Sequence, residues 1–157
     1  MIFHQYLDSP FGQIHLESDG CALNALTFCS EAKEEPTELE VFIRVRKWLD
    51  NYFAEKPVKP DFEMHQPATD FRRSVYEITA RIPFGRVMSY GEIAAMIAEK
   101  RGIRKMSAQA IGQALNRNRL MLVIPCHRVI GADGSLTGFG GGIELKRKLL
   151  KHEGIII

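Results

Sequence analysis

The stretch Val123-Ile124-Pro125-Cys126-His127-Arg128-Val129-Ile130 constrains this chain most. Its apolar residues read as a buried strand, yet Pro125 removes a ladder donor in mid-run. The segment must therefore bend, bulge or lie on an edge. Cys126 is then held at a bend, beside His127 as a potential base and next to the cationic Arg128. Cysteine is a nucleophile only as the thiolate, and neighbouring cations favour that form. The competing reading is a buried, inert cysteine with chance neighbours.

The chain's 157 residues can bury one good core or two small modules. Its apolar runs are too short to span a bilayer, so no membrane partner is expected. Met1-Ile2-Phe3-His4-Gln5 lacks the basic flank and apolar core of a signal peptide. Three cysteines form no pairwise framework, which points to free thiols in a reducing cytoplasm. Cys21 and Cys29 share the N-terminal stretch with His4 and His15, but the spacings fit no tight ligand pair and no metal is expected. Charge is unevenly spread. Residues 1–65 carry 12 Asp+Glu against 6 Lys+Arg, whereas residues 66–157 carry 7 against 15. A basic second part suits a polyanion, although solvated helix faces would give the same count.

Residues 1–29 alternate in strand fashion, with turns at Asp8-Ser9-Pro10-Phe11-Gly12 and at Asp19-Gly20, and predict a small antiparallel sheet. Thr37 and Glu40 form a capping-box pattern ahead of a helix with the stripe Leu39, Phe42, Ile43, Leu49 and Phe53. Trp48 is expected in the core. Gln66-Pro67-Ala68-Thr69 marks a boundary, dividing the chain into an α/β domain at 1–66 and a mostly α domain at 67–157. In the latter, a helix is predicted from Phe71 to Ile82 and another after the capping box Ser89/Glu92. A basic turn, Lys100 to Lys105, leads to a third helix capped by Ser107. Two short helices joined by a Gly-containing turn suggest a helix-turn-helix. The small residues Ala108, Ala110, Gly112 and Ala114 would let that third helix either approach a groove or pack tightly on a neighbour. Gly138-Phe139-Gly140-Gly141-Gly142 is a glycine-rich loop, and Ile143 to Lys151 is a final basic helix.

Taken together, these residues resemble the O6-alkylguanine-DNA alkyltransferase family. The resemblance rests on Asp8-Ser9-Pro10 with Gly12, Ile82-Pro83-Phe84-Gly85 with Ser89-Tyr90, and Asn118. It continues through Ile124-Pro125-Cys126-His127-Arg128-Val129, Gly138-Phe139 and His152-Glu153-Gly154, and so covers nearly the whole chain. It implies irreversible transfer of an alkyl group from guanine O6 to the protein's own Cys126, once and without a cofactor. His127 would take the thiol proton through a water, Glu153 would orient the imidazole, and Tyr90 would assist the leaving guanine. Asn118 would brace the turn after the recognition helix. Phe139 and main-chain groups near Cys126, Val129 and Gly140 would line the base site.

The implied partner is double-stranded DNA carrying O6-alkylguanine, bound by a monomer that extrudes the damaged nucleotide. Gln109, Ala108, Ala110 and Gly112 would face the DNA, with Arg101, Arg104, Lys105 and Arg117 contacting phosphates. Gln109 stands where the family has an arginine, the turn before its helix is longer, and Asn118-Arg119 replaces an Asn-Pro. The rival readings are a lesion sensor without transfer, a helix-turn-helix regulator with a structural cysteine, and a Cys-His hydrolase, for which no oxyanion constellation is evident.

Overall fold

The computed structural model describes residues 1–29, 31–139 and 141–156. Two compact units form. The first comprises Met1–Pro67 together with Arg119–Val123; the second comprises Ala68–Asn118 and the chain from Ile124 onward. Arg119–Val123, which lies within the 67–157 segment read from the sequence, groups with the first unit. The cause is backbone pairing. Leu26 N–H donates to Arg119 O at 2.7 Å, and Met121 N–H donates to Leu26 O at 3.0 Å. Unpaired backbone groups are costly once buried, so an apolar segment that completes them is held firmly.

In the first unit, β1 (Phe3–Leu7), β2 (Gln13–Ser18) and β3 (Leu23–Cys29) form an antiparallel sheet in that order. Alternation decides its faces: Ile14 and Leu16 are fully buried, while Gln13, His15 and Glu17 point the other way. Helix α1 (Glu40–Phe53) follows. Its buried stripe is Val41, Phe42, Val45, Trp48, Leu49 and Tyr52. The expected Ile43 is 47% exposed, because the stripe is phased on Val45 and Trp48. The capping box is also absent. Leu39 is the N-cap and makes no side-chain bond, whereas Thr37 N–H donates to His4 O at 2.8 Å. Strand-like pairing with β1 has claimed the residue that local pattern assigned to the helix.

The second unit holds α2 (Asp70–Ala80), β4 (Met88–Ser89), α3 (Tyr90–Arg101), α4 (Ala108–Asn116), β5 (Val129–Ile130) and α5 (Ile143–His152). Thr69, Ser89 and Ser107 each cap the following helix, accepting from the N–H of Arg72, Glu92 and Ala110. Gly102 ends α3 at φ +65°, a left-handed position where a side chain would be strained. Val75, Ile93, Ile97 and Ile111 share one core with Cys126 and Val129. Each buried aliphatic stabilises the unit by about 2 kcal/mol. β4 and β5 pair in parallel, Met88 opposite Val129 and Ser89 opposite Ile130. This small sheet joins the segment entering α3 to the segment leaving Cys126.

Ser89→Ala should therefore cost about 1 kcal/mol in denaturant unfolding of the full chain. Thr37→Ala should cost less than about 0.5 kcal/mol, since its side chain caps nothing.

Candidate active site

The run at Pro125 is not a strand. Cys126–Arg128 form a single 3₁₀ turn, closed by Val129 N–H donating to Cys126 O. The turn sends three consecutive buried side chains two ways: Cys126 to Asn118, and His127 and Arg128 to Glu153. Cys126 Sγ accepts from Asn118 Nδ2 at 3.4 Å, and the same amide donates to Ile124 O at 3.0 Å. Asn118 thus fastens the chain on both sides of Pro125. Burial pushes the Cys126 thiol up, against the Asn118 hydrogen bond and the Lys146 charge.

Glu153 is the centre of the second set. Its carboxylate is fully buried. Oε2 lies 2.5 Å from His127 Nε2, and Oε1 accepts from Arg128 Nε at 2.7 Å and from Gly85 N–H at 3.2 Å. Arg128 Nη2 reaches Oε2 at 3.2 Å, and its Nη1 donates to Ile82 O at 2.7 Å. Burial alone would raise the Glu153 pKa. The hydrogen bonds from His127 and Arg128, the Arg128 charge and, once His127 is protonated in acid, its charge overrule it and hold it at about 2. Burial lowers His127, with Glu153 opposing and Arg128 assisting. The state this describes is a neutral imidazole beside an anionic carboxylate whose charge Arg128 already balances. Nε2–H then donates to Glu153, and Nδ1 carries the lone pair.

Arg128 is thus engaged with Glu153 and Ile82, not with the thiol as the sequence suggested. The cation acting on Cys126 is Lys146. Fully buried on α5, its ammonium donates to Val129 O at 2.5 Å, Thr137 O at 3.1 Å and Tyr90 Oη at 3.2 Å. Three acceptors meet its three donors. Burial still lowers its pKa to about 8, partly opposed by Cys126. Tyr90 Oη donates to Thr137 O at 2.7 Å, and burial raises its pKa. Val129 N–H is committed to Cys126, and its carbonyl already accepts from Lys146. Any base contact by Val129 falls to a carbonyl shared with that lysine. Phe139 packs, partly buried, on the core. Gly140 lies outside the described residues.

Tyr90 also lines an open cleft of about 340 Å³ with Ala108, Gln109, Gly112, Gln113, Asn116, Thr137 and Gly138. Ala108 and Gln109 are exposed, Ala110 and Gly112 half-buried. Ala114 is buried and accepts from Tyr76 Oη at 2.8 Å, so it packs inward instead of facing a groove. Arg104, Lys105 and Arg117 are exposed. Arg101 ends α3 with its guanidinium 5.3 Å from the Phe71 ring centroid.

Comparison with known proteins bears on the whole chain. The family described as 6-O-methylguanine DNA methyltransferase matches through its ribonuclease-like domain at residues 2–65 and its DNA binding domain at residues 70–155. The chain belongs to the 6-O-methylguanine DNA methyltransferase family. A methylated-DNA–protein-cysteine methyltransferase of Sulfolobus acidocaldarius is 38% identical over 157 residues, covering 100% of this chain and 96% of its own length. One from Methanosarcina barkeri is 36% identical over 158 residues, with 97% of each chain covered. The crystal structure of Mycobacterium tuberculosis O6-methylguanine methyltransferase, 36% identical, aligns with a TM-score of 0.82 over 98% of this chain and 93% of that one. Mycobacterium tuberculosis OGT in complex with DNA aligns equally well, with a TM-score of 0.82 at 36% identity over 96% and 92%.

For this methyltransferase, sequence reasoning passed over Lys146, Thr137 and the Gly85 amide. Lys146 had a signal: it lies three and four residues before Leu149 and Leu150, interrupting an apolar stripe with a charge. Gly85 sits at φ +82°, and a Cβ there would come within 3.4 Å of Glu153 O. The glycine allows its N–H to reach the carboxylate.

Glu153 has a pH signature. Its carboxyl pKa falls from 4.5 to about 2 on folding, so the stability it supplies is complete above about pH 4.5. That contribution, on the order of 3 kcal/mol, is lost as pH falls from there through 2. Denaturant unfolding across this range should show a steeper acid loss in the wild type than in Glu153→Gln. Glu153→Gln should itself be less stable at pH 7 by roughly 3 kcal/mol, since Arg128 is left without its buried partner.

Proposed function

We propose that this chain repairs O6-alkylguanine in double-stranded DNA by moving the alkyl group irreversibly to Cys126, acting as a monomer in a reducing cytoplasm. The observation that carries this reading is the arrangement around the Cys126–Arg128 turn. It combines a buried thiol held by Asn118 with a neutral imidazole backed by an anion that Arg128 neutralises.

The chemistry balances without a cofactor. Cys126 gives its proton to His127 through a water, and the developing imidazolium is stabilised by Glu153. The sulfur attacks the alkyl carbon in line, the carbon–O6 bond breaks, and its electron pair passes to the purine. Tyr90 supplies a proton to the ring, so the guanine leaves neutral. Lys146 donates to Tyr90 Oη and can replace that proton, which makes it a positioning and proton-supplying group behind Tyr90. A thioether on Cys126 remains, and no step regenerates the thiol.

The cleft beside Tyr90 suits an extruded base, since unstacking costs a few kcal/mol that must be offset by new contacts. Gln109 at its rim would enter the vacated stack and hydrogen-bond the orphaned partner, with Ala108, Ala110 and Gly112 admitting the backbone. Gln109 carries no charge, so Arg104, Lys105 and Arg117 would provide the phosphate attraction, and Arg101 would contribute from the end of α3.

Intact-protein mass spectrometry after incubation with a duplex containing O6-methylguanine tests the central claim. One methyl group per chain is expected on Cys126, and none on Cys126→Ser. Methyl transfer to the exposed Cys21 or to Cys29 would overturn the assignment.

Lys146 has its own test in the pH profile of single-turnover transfer. Protonated Lys146 supports the leaving group, so the wild-type rate should fall as pH rises through about 8. Lys146→Met should lose that alkaline limb and be roughly 10²-fold slower, as losses of general acid-base groups are. An unchanged alkaline limb would remove Lys146 from the reaction.

A further inference from the structure

Strand register gathers a second set of chemically able side chains, remote from the reaction in its logic. In the β1–β2 pairing, His4 lies opposite Glu17 and Tyr6 opposite His15. All four therefore project from the same face, the one opposite the buried Ile14 and Leu16. His4 Nδ1 and His15 Nε2 are 2.9 Å apart. One ligand atom each from His4, His15 and Glu17 lies within 4.8 Å of the others. All three residues are half-buried.

We propose that His4, His15 and Glu17 form a binding site for one divalent cation of the zinc type. Two imidazoles and a carboxylate are the donor set such ions take, with water completing a tetrahedron. Bonds of about 2.0–2.1 Å place tetrahedral ligand atoms about 3.3 Å apart. The histidine nitrogens would separate by a few tenths of an ångström, and Glu17 would close in by rotation of a flexible side chain. The nitrogen–nitrogen hydrogen bond gives way to the metal when the ring that donates it moves its proton to its other nitrogen. Tyr6 stacks on His15 at a centroid distance of 4.8 Å and so restricts that ring's orientation. Arg119 Nη1 contacts Glu17 Oε2 at 3.1 Å, which leaves Oε1 for the ion. Arg119 then serves as the outer partner that ligating carboxylates usually have. The site differs from the one weighed in the sequence, since neither Cys21 nor Cys29 belongs to the cluster. An ion here would tie β1 to β2.

Cobalt(II) titration of the chelator-treated full chain, followed by displacement with zinc(II), tests this directly. The expected result is one saturable equivalent with ligand-field bands and no sulfur-to-cobalt charge-transfer band. His4→Gln and His15→Gln should each weaken uptake by roughly 100-fold or more, at least what loss of an outer-shell partner costs. His65→Gln and Cys21→Ser should leave it unchanged. Should a histidine variant fail to fold, the wild type still decides, because cobalt must shift the His4 and His15 ring proton resonances. A thiolate charge-transfer band, unchanged affinity in folded His4→Gln or His15→Gln, shifts confined to other histidines, or no saturable uptake of either ion would each overturn the proposal.

Discussion

The Glu153 carboxylate organises the second unit. It is a full negative charge without solvent, which is tolerable only because both oxygens are saturated. Arg128 supplies two of the bonds, and His127 and the Gly85 amide supply the others. The three partners come from the loop before β4 and from the turn that carries the thiol, while Glu153 itself follows α5. One carboxylate therefore fixes three chain segments against each other. The exposed pairs, such as Arg73–Asp70 and Arg147–Glu144, are worth little by comparison.

This clamp also sets the proton chemistry. An unbalanced carboxylate would pull His127 toward imidazolium and spoil it for the proposed role of base. Arg128 prevents that by holding Glu153 in an ion pair before any proton moves. The second buried cation, Lys146, lies on the other side of the logic, near Tyr90 and felt by the thiol. Its hydrogen bond to Val129 O fastens α5 to β5, and its bonds to Tyr90 and Thr137 tie the entry of α3 to the segment just before Gly138. A helix that looks merely basic in sequence thus contributes one side chain to the interior for charge placement.

What could be read from sequence follows the range of the interactions involved. Ser89 and Ser107 cap their helices as the pattern predicts, because a cap needs only residues three apart. Thr37 fails the same test because its backbone is taken by His4, more than thirty residues away. Arg119–Val123 joins the first unit through Leu26, a pairing that no local periodicity announces. Cys126, His127 and Glu153 could be named because the Pro-Cys-His-Arg run and the His-Glu-Gly end are distinctive. The exchange of Arg128 for Lys146 as the thiol's cation could not, since adjacency in sequence does not state direction in space. The His4–His15–Glu17 cluster was hidden for a related reason: its members meet only through the register of two strands.

A thiol whose pKa is raised appears at first a poor nucleophile. If, as proposed, Cys126 accepts an alkyl group only once, the resting state has a different requirement. An exposed thiolate would be open to oxidation and to any passing electrophile, and either would end the molecule's use. Burial in the core beside Asn118 suppresses both. On the proposed reading, reactivity then depends on a substrate that reaches the cleft beside Tyr90 and gives the thiol proton a reason to leave. The parts are already in register: a neutral base, a balanced anion behind it, and a lysine of pKa about 8 behind the tyrosine. Catalytic electrostatics of this kind are most effective when no group has to reorganise during the reaction. On this argument the saturated Glu153 clamp and the elevated thiol are one design, in which the protein stays inert until the leaving group is in place.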